Sequence, residues 1–98
     1  MKPYHNELIK EFYEAILLLE NQTECDKFFE DICTVKELQD ISQRLSVAKM
    51  LKEGKSYQVI SKETGASTAT ISRVNRCLLY GSGGYETILK RIKNEDEQ

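Results

Sequence analysis

Seven positions between Ser67 and Arg76 share a stretch of helical spacing and chemically useful ends: Ser67, Thr68, Ala69, Thr70, Ser72, Arg73 and Arg76. Hydroxyls exchange hydrogen bonds with base edges or phosphates, a small methyl accommodates a thymine methyl, and guanidinium groups grip phosphate or guanine. Gln58, Ser61 and Lys62, just upstream, add an amide, a hydroxyl and a cation. The face carries no large apolar residue that would suit a protein partner.

Those side chains need two short helices meeting steeply across a tight turn. Residues 57–76, Tyr-Gln-Val-Ile-Ser-Lys-Glu-Thr-Gly-Ala-Ser-Thr-Ala-Thr-Ile-Ser-Arg-Val-Asn-Arg, meet that need as a helix-turn-helix. Gly65 supplies a turn without Cβ strain, and Ser61 and Ala66 are small where the helices approach. Ile60, Ile71 and Val74 stand at intervals that anchor both helices to a core. Ser56 and Ser67 are placed as N-caps. A plain helical hairpin with a glycine turn would share the spacing, but not the outward hydroxyls and cations.

The rest of the chain reads as supporting helices, about six in all, with no strand. Leu8, Phe12, Ala15, Ile16 and Leu19 predict a helix over residues 4–20. Thr23 is expected to cap a second one bearing Phe28, Phe29 and Ile32. Thr34-Val35-Lys36-Glu37 has the form of a capping box. It opens a long helix with Leu38, Ile41, Leu45, Ala48 and Leu51 on its apolar side, stopped at Gly54. After Gly81-Ser82-Gly83-Gly84, the residues Tyr85, Ile88, Leu89 and Ile92 predict a last helix, with 94–98 as a solvated tail. A β-hairpin around the glycines, the wing of a winged helix, is the alternative; the helical spacing through Ile92 argues against it.

Composition narrows the function classes. Ninety-eight residues, 40% hydrophobic and 31% charged, make one all-α domain. No apolar run is long enough to cross a membrane, and the first residues lack a secretory pattern, so a cytoplasmic location is expected. Net charge is −2, but unevenly spread: residues 1–33 carry three Lys/Arg against eight Asp/Glu, whereas 55–76 carry four against Glu63 alone. The basic surplus falls on the candidate DNA motif and is modest. Cys25, Cys33 and Cys77 match no metal-ligand spacing and read as small, buried side chains, with no metal expected. With His5 as the sole histidine, no acid–base set can be assembled, so an enzyme is not expected. A non-enzymatic protein-interaction module, using the acidic N-terminal half, is the competing function.

From Thr34 to about Ile92 the sequence resembles the Trp repressor superfamily, in particular its YerC/YecD-type branch. The residues that carry the likeness are the Thr34–Glu37 box, Arg44, Leu51 with Gly54, and above all residues 63–73, Glu-Thr-Gly-Ala-Ser-Thr-Ala-Thr-Ile-Ser-Arg. The resemblance implies an intertwined homodimer, in which the helices of residues 1–33 interlock with the partner. It also implies two recognition helices reading a palindromic operator in double-stranded DNA as a transcription regulator, with repression the expected sign. By the same resemblance Thr34, Arg44, Arg73, Val74 and Cys77 match the positions around a tryptophan corepressor. Val74 stands where the tryptophan binders have Gly, and Cys77 where they have a Ser that helps hold the amino group. Added bulk and a lost hydroxyl both oppose that ligand, so tryptophan is not expected as a corepressor, and the sequence names no other effector. Arg44 then reads as a structural or an ion-pairing residue, with Glu37 or Asp40 as the candidate partners.

Overall fold

A computed structural model describes residues 6–96. Among them are six helices and no strand: α1 (Glu7–Ile16), α2 (Gln22–Ile32), α3 (Val35–Lys52), α4 (Tyr57–Thr64), α5 (Thr68–Tyr80) and α6 (Gly84–Asp96). No helix is long and apolar enough to cross a membrane among the described residues. The chain divides after Lys36 into two compact units.

In the first unit, Asn6 caps α1 by accepting the Ile9 N–H at 3.1 Å. Helix α1 ends earlier than its apolar spacing predicts. The Leu18 and Leu19 amides turn to the carbonyls three residues back, tightening the last turn into non-α geometry. Residues 4 and 5 of the expected helix lie outside the described residues. The second cap is also two residues from where it was expected: Asn21, not Thr23, takes it, accepting from the Glu24 N–H at 2.9 Å. Asparagine ranks at least level with threonine as an N-cap, and only Asn21 has a Glu three residues on. Glu24 in turn accepts the N–H of Glu20, one residue ahead of the cap, at 2.9 Å. Phe12 and Phe28 join α1 to α2, stacked with centroids 6.2 Å apart, and Phe29 meets Phe28 edge-on. No residue of either helix is fully buried within the chain, and Leu8, Leu17 and Leu18 are each more than three-quarters exposed.

The second unit holds the core. Val47 and Ala48 from α3, Ile60 from α4, Ala66 from the turn, and Ile71 and Val74 from α5 are buried together. Met50, Leu51, Tyr57, Leu78, Tyr85 and Leu89 pack around them. The expected α3 stripe holds at Ala48 and Leu51 and is corrected at Ile41 and Leu45. Ile41 and Leu45 are 48% and 38% exposed, and the face that sinks into this core is Val47–Ala48, with Leu51 beside it. Lys52 reaches Glu86 at 2.6 Å and so ties α3 to α6, a half-exposed pair whose contribution to stability is small.

Helix ends follow local chemistry closely. Gly54 has φ +81° and its amide bonds the Leu51 carbonyl, which stops α3 two residues beyond its last helical residue. Helix α6 occupies the segment that the wing alternative would need, and it continues through Asp96. Residues 94–96 of the expected tail are therefore helical, though exposed.

Candidate nucleic-acid interface

The site is built on two caps and a left-handed turn. Ser56 accepts the Val59 N–H at 3.2 Å and starts α4. Gly65 ends it at φ +76°, with its amide on the Ser61 carbonyl at 2.8 Å. An L-residue is costly in that backbone region, which is why glycine stands there. Ser67 then starts α5 by accepting the Thr70 N–H at 3.1 Å, while its hydroxyl donates to Thr70 Oγ1 at 3.1 Å.

Helix α5 has two contrasting sides. Ile71 and Val74 are 0% and 1% exposed, and Ala66 just ahead of the helix is 2% exposed. Thr68, Ala69, Ser72, Arg73 and Arg76 are exposed, and Thr70 is half-buried beside its cap. On α4, Gln58 and Lys62 are exposed and Ser61 is half-buried. Apart from Ser61 and Thr70, the residues singled out in the sequence are thus exposed on a helix pair whose inside is packed.

The electrostatics are thinner than the residue count of this segment suggests. Lys55 lies 3.8 Å from Glu53 and 3.7 Å from Glu63, so its charge is locally matched. Among the described residues no carboxylate lies within ion-pair distance of Lys62, Arg73 or Arg76. Those three cations and the open amides at the start of α5 carry the positive charge of this outer side.

The residues expected around a small ligand are scattered in character. Thr34 falls in the first unit, and Arg44, Arg73, Val74 and Cys77 in the second. Val74 is part of the core itself, Arg44 is half-buried, and Arg73 is exposed. Cys77 is exposed rather than buried, because its place on α5 is a step away from the Ile71–Val74 side. Cys25 and Cys33 are half-buried.

Two residues that hold the turn were not among the site residues named from the sequence. Gln43 of α3 donates from Nε2 to the Thr64 carbonyl at 3.1 Å. Thr64 itself donates to the Ile60 carbonyl at 2.7 Å and accepts the Ala66 N–H at 3.1 Å, so it braces both sides of the turn. A threonine before a C-terminal glycine hints at the second role; nothing local hints at the first.

The family model for the Trp repressor protein matches residues 7–93. The chain is 50% identical over 90 residues to YerC, an uncharacterised protein of Bacillus subtilis (strain 168), covering 92% of this chain and 86% of that one. Its fold is similar to the crystal structure of a candidate Trp repressor from Staphylococcus aureus. The TM-score is 0.88 at 53% identity, with 91% of this chain and 89% of that one covered. A TrpR-like protein from Eubacterium eligens ATCC 27750 also has a TM-score of 0.88, at 48% identity, with 90% and 91% covered. Six helices, a helix-turn-helix with a packed inner side and a polar, cationic outer one, and these likenesses agree: the chain belongs to the Trp repressor family of DNA-binding regulators.

Proposed function

We propose that this protein is a homodimeric, sequence-specific transcription regulator, a repressor, that reads a two-fold-symmetric operator with α5. The observation that carries the reading is the division of α5. Ile71 and Val74 are fully committed to the core, while Thr68, Ala69, Ser72, Arg73 and Arg76 remain exposed. In this reading Ala69 and Thr68 meet base edges or methyls, and Ser72, Arg73 and Arg76 reach bases or phosphates. Ser67, Thr70 and the open amides approach a phosphate, while Gln58, Ser61 and Lys62 position α4 on the backbone.

The dimer is supported by the first unit. Helices α1 and α2 bury no residue fully within one chain, yet Leu8 and Ile32 on them, and Leu17 and Leu18 just after α1, are at half exposure or more. A surface so apolar is ordinarily covered, and a second copy of the same helices is the natural cover.

Selection of bound fragments from a random DNA pool, run beside sedimentation of the free protein, tests both parts. A dimer and an enriched palindrome with half-sites about 34 Å apart are the expected results. A monomer, or a pool without enrichment, would overturn the proposal and leave a protein-interaction module.

Tryptophan is not the effector in this proposal. Val74 is 1% exposed among Val47, Ala48, Ile60 and Ile71, so an indole at this position would have to displace core side chains. Cys77 offers a thiol, a weak partner for an amino group, where a hydroxyl would be a good one. Titration calorimetry is expected to show no tryptophan binding, and operator affinity should be the same with and without it. Micromolar binding would defeat this part.

A further inference from the structure

The turn that presents α5 is held from outside the helix pair. Thr64 is the last residue of α4, so its carbonyl has no partner within that helix. Gln43 supplies one from α3, through Nε2 at 3.1 Å, in a half-buried setting and across 21 residues of chain. The amide group also lies against the next residue: a Cβ placed on Gly65 would stand 3.9 Å from Gln43 Nε2.

Apolar contacts of Ile71 and Val74 hold α5 onto the core, but such contacts have little directional preference. Gly65 leaves the backbone between the helices free of Cβ restraint. A hydrogen bond to the turn is directional and half-shielded from water, so it limits how α5 can rotate and slide. Thr64 passes that restraint on, because its hydroxyl bonds the Ile60 carbonyl behind it and the Ala66 amide ahead of it.

We propose that Gln43 is a positioning residue for DNA recognition, which fixes the angle of α5 by holding the Thr64 carbonyl. The proposal rests on the DNA-binding reading above. Base contacts require side chains to be placed to within about half an ångström, whereas attraction to phosphates tolerates looser placement. Loss of the tether should therefore strike specific binding and spare non-specific binding.

The test uses the full chain and the sequence enriched by the wild-type protein. Q43L removes the donor at similar volume. Q43E keeps length and shape but sets an acceptor against the carbonyl. Expected for Q43L is a loss of specific affinity of roughly fivefold to tenfold, with Q43E at least as impaired. Affinity for random duplex and its salt slope should be unchanged, and both proteins should remain folded by circular dichroism at the assay temperature. Amide hydrogen exchange at Gly65 and Ala66 should quicken. Unchanged specific affinity would overturn the proposal. So would a parallel fall in specific and random binding, which would mark Gln43 as merely structural. If the wild type enriches no sequence, the DNA-binding reading fails and this role with it; enrichment with an unaffected Q43L sinks the role of Gln43 alone.

Discussion

Replacing Ile71 with Ala is expected to lower stability by about 2 to 5 kcal/mol, enough to threaten folding at growth temperature. Ile71 is 0% exposed and lies in a core of six buried residues among the described ones, with Val47, Ala48, Ile60, Ala66 and Val74 around it. Removing three carbons there forfeits the transfer free energy and leaves a void. The neighbours have little scope to close it, since α4 and α5 are fixed at their caps by Ser56, Ser67 and Gly65. Urea unfolding at one fixed protein concentration would measure the loss, the concentration being held because subunit association adds to apparent stability. A loss under about 1 kcal/mol would mean that the site collapses easily and that α5 is not anchored through Ile71.

Arg73→Ala carries the largest expected effect on function. An arginine that grips a guanine or a phosphate contributes about 1 to 3 kcal/mol, so specific affinity should fall roughly tenfold or more. The fold should survive, because the Arg73 side chain is exposed and has no ion-pair partner among the described residues. Binding to the selected operator at several salt concentrations separates the two kinds of contact. If Arg73 meets phosphate, the salt slope falls by about one and all sequences weaken together; if it reads a base, the operator weakens most and discrimination at one position relaxes. An unchanged footprint and affinity would show that the outer side of α5 does not face DNA. The effect should be large partly because the cationic surface is small. With Lys55 matched by Glu53 and Glu63, only Lys62, Arg73 and Arg76 of this segment are left to attract phosphate.

Much of this architecture is written in short stretches of the chain. The N-caps at Ser56 and Ser67, the left-handed turn at Gly65 and the stop at Gly54 each depend on residues within four positions of one another. Hydrogen bonds of that reach form whatever surrounds them, so sequence alone locates them. The inner anchors Ile60, Ile71 and Val74 were legible for the same reason, since a short helix with one apolar side has one way to face a core. Even at this scale two nearby signals can compete, as Asn21 and Thr23 did for the start of α2.

The long helix was less readable. Over 18 residues α3 offers more than one apolar stripe: of the spaced residues Ile41, Leu45, Ala48 and Leu51, the last two reach the core, while Ile41 and Leu45 stay exposed and Val47, off that stripe, is buried against α4 and α5. The outward residues from Ser67 to Arg76 could be named from the sequence, because their types and helical spacing mark them. How firmly α5 holds them in place could not. That depends on a glutamine and a carbonyl 21 residues apart, brought to 3.1 Å only when α3 packs beside the turn. Helix ends and helix sides answer to neighbours along the chain, whereas a bond across the fold exists only once tertiary packing has brought its two partners together.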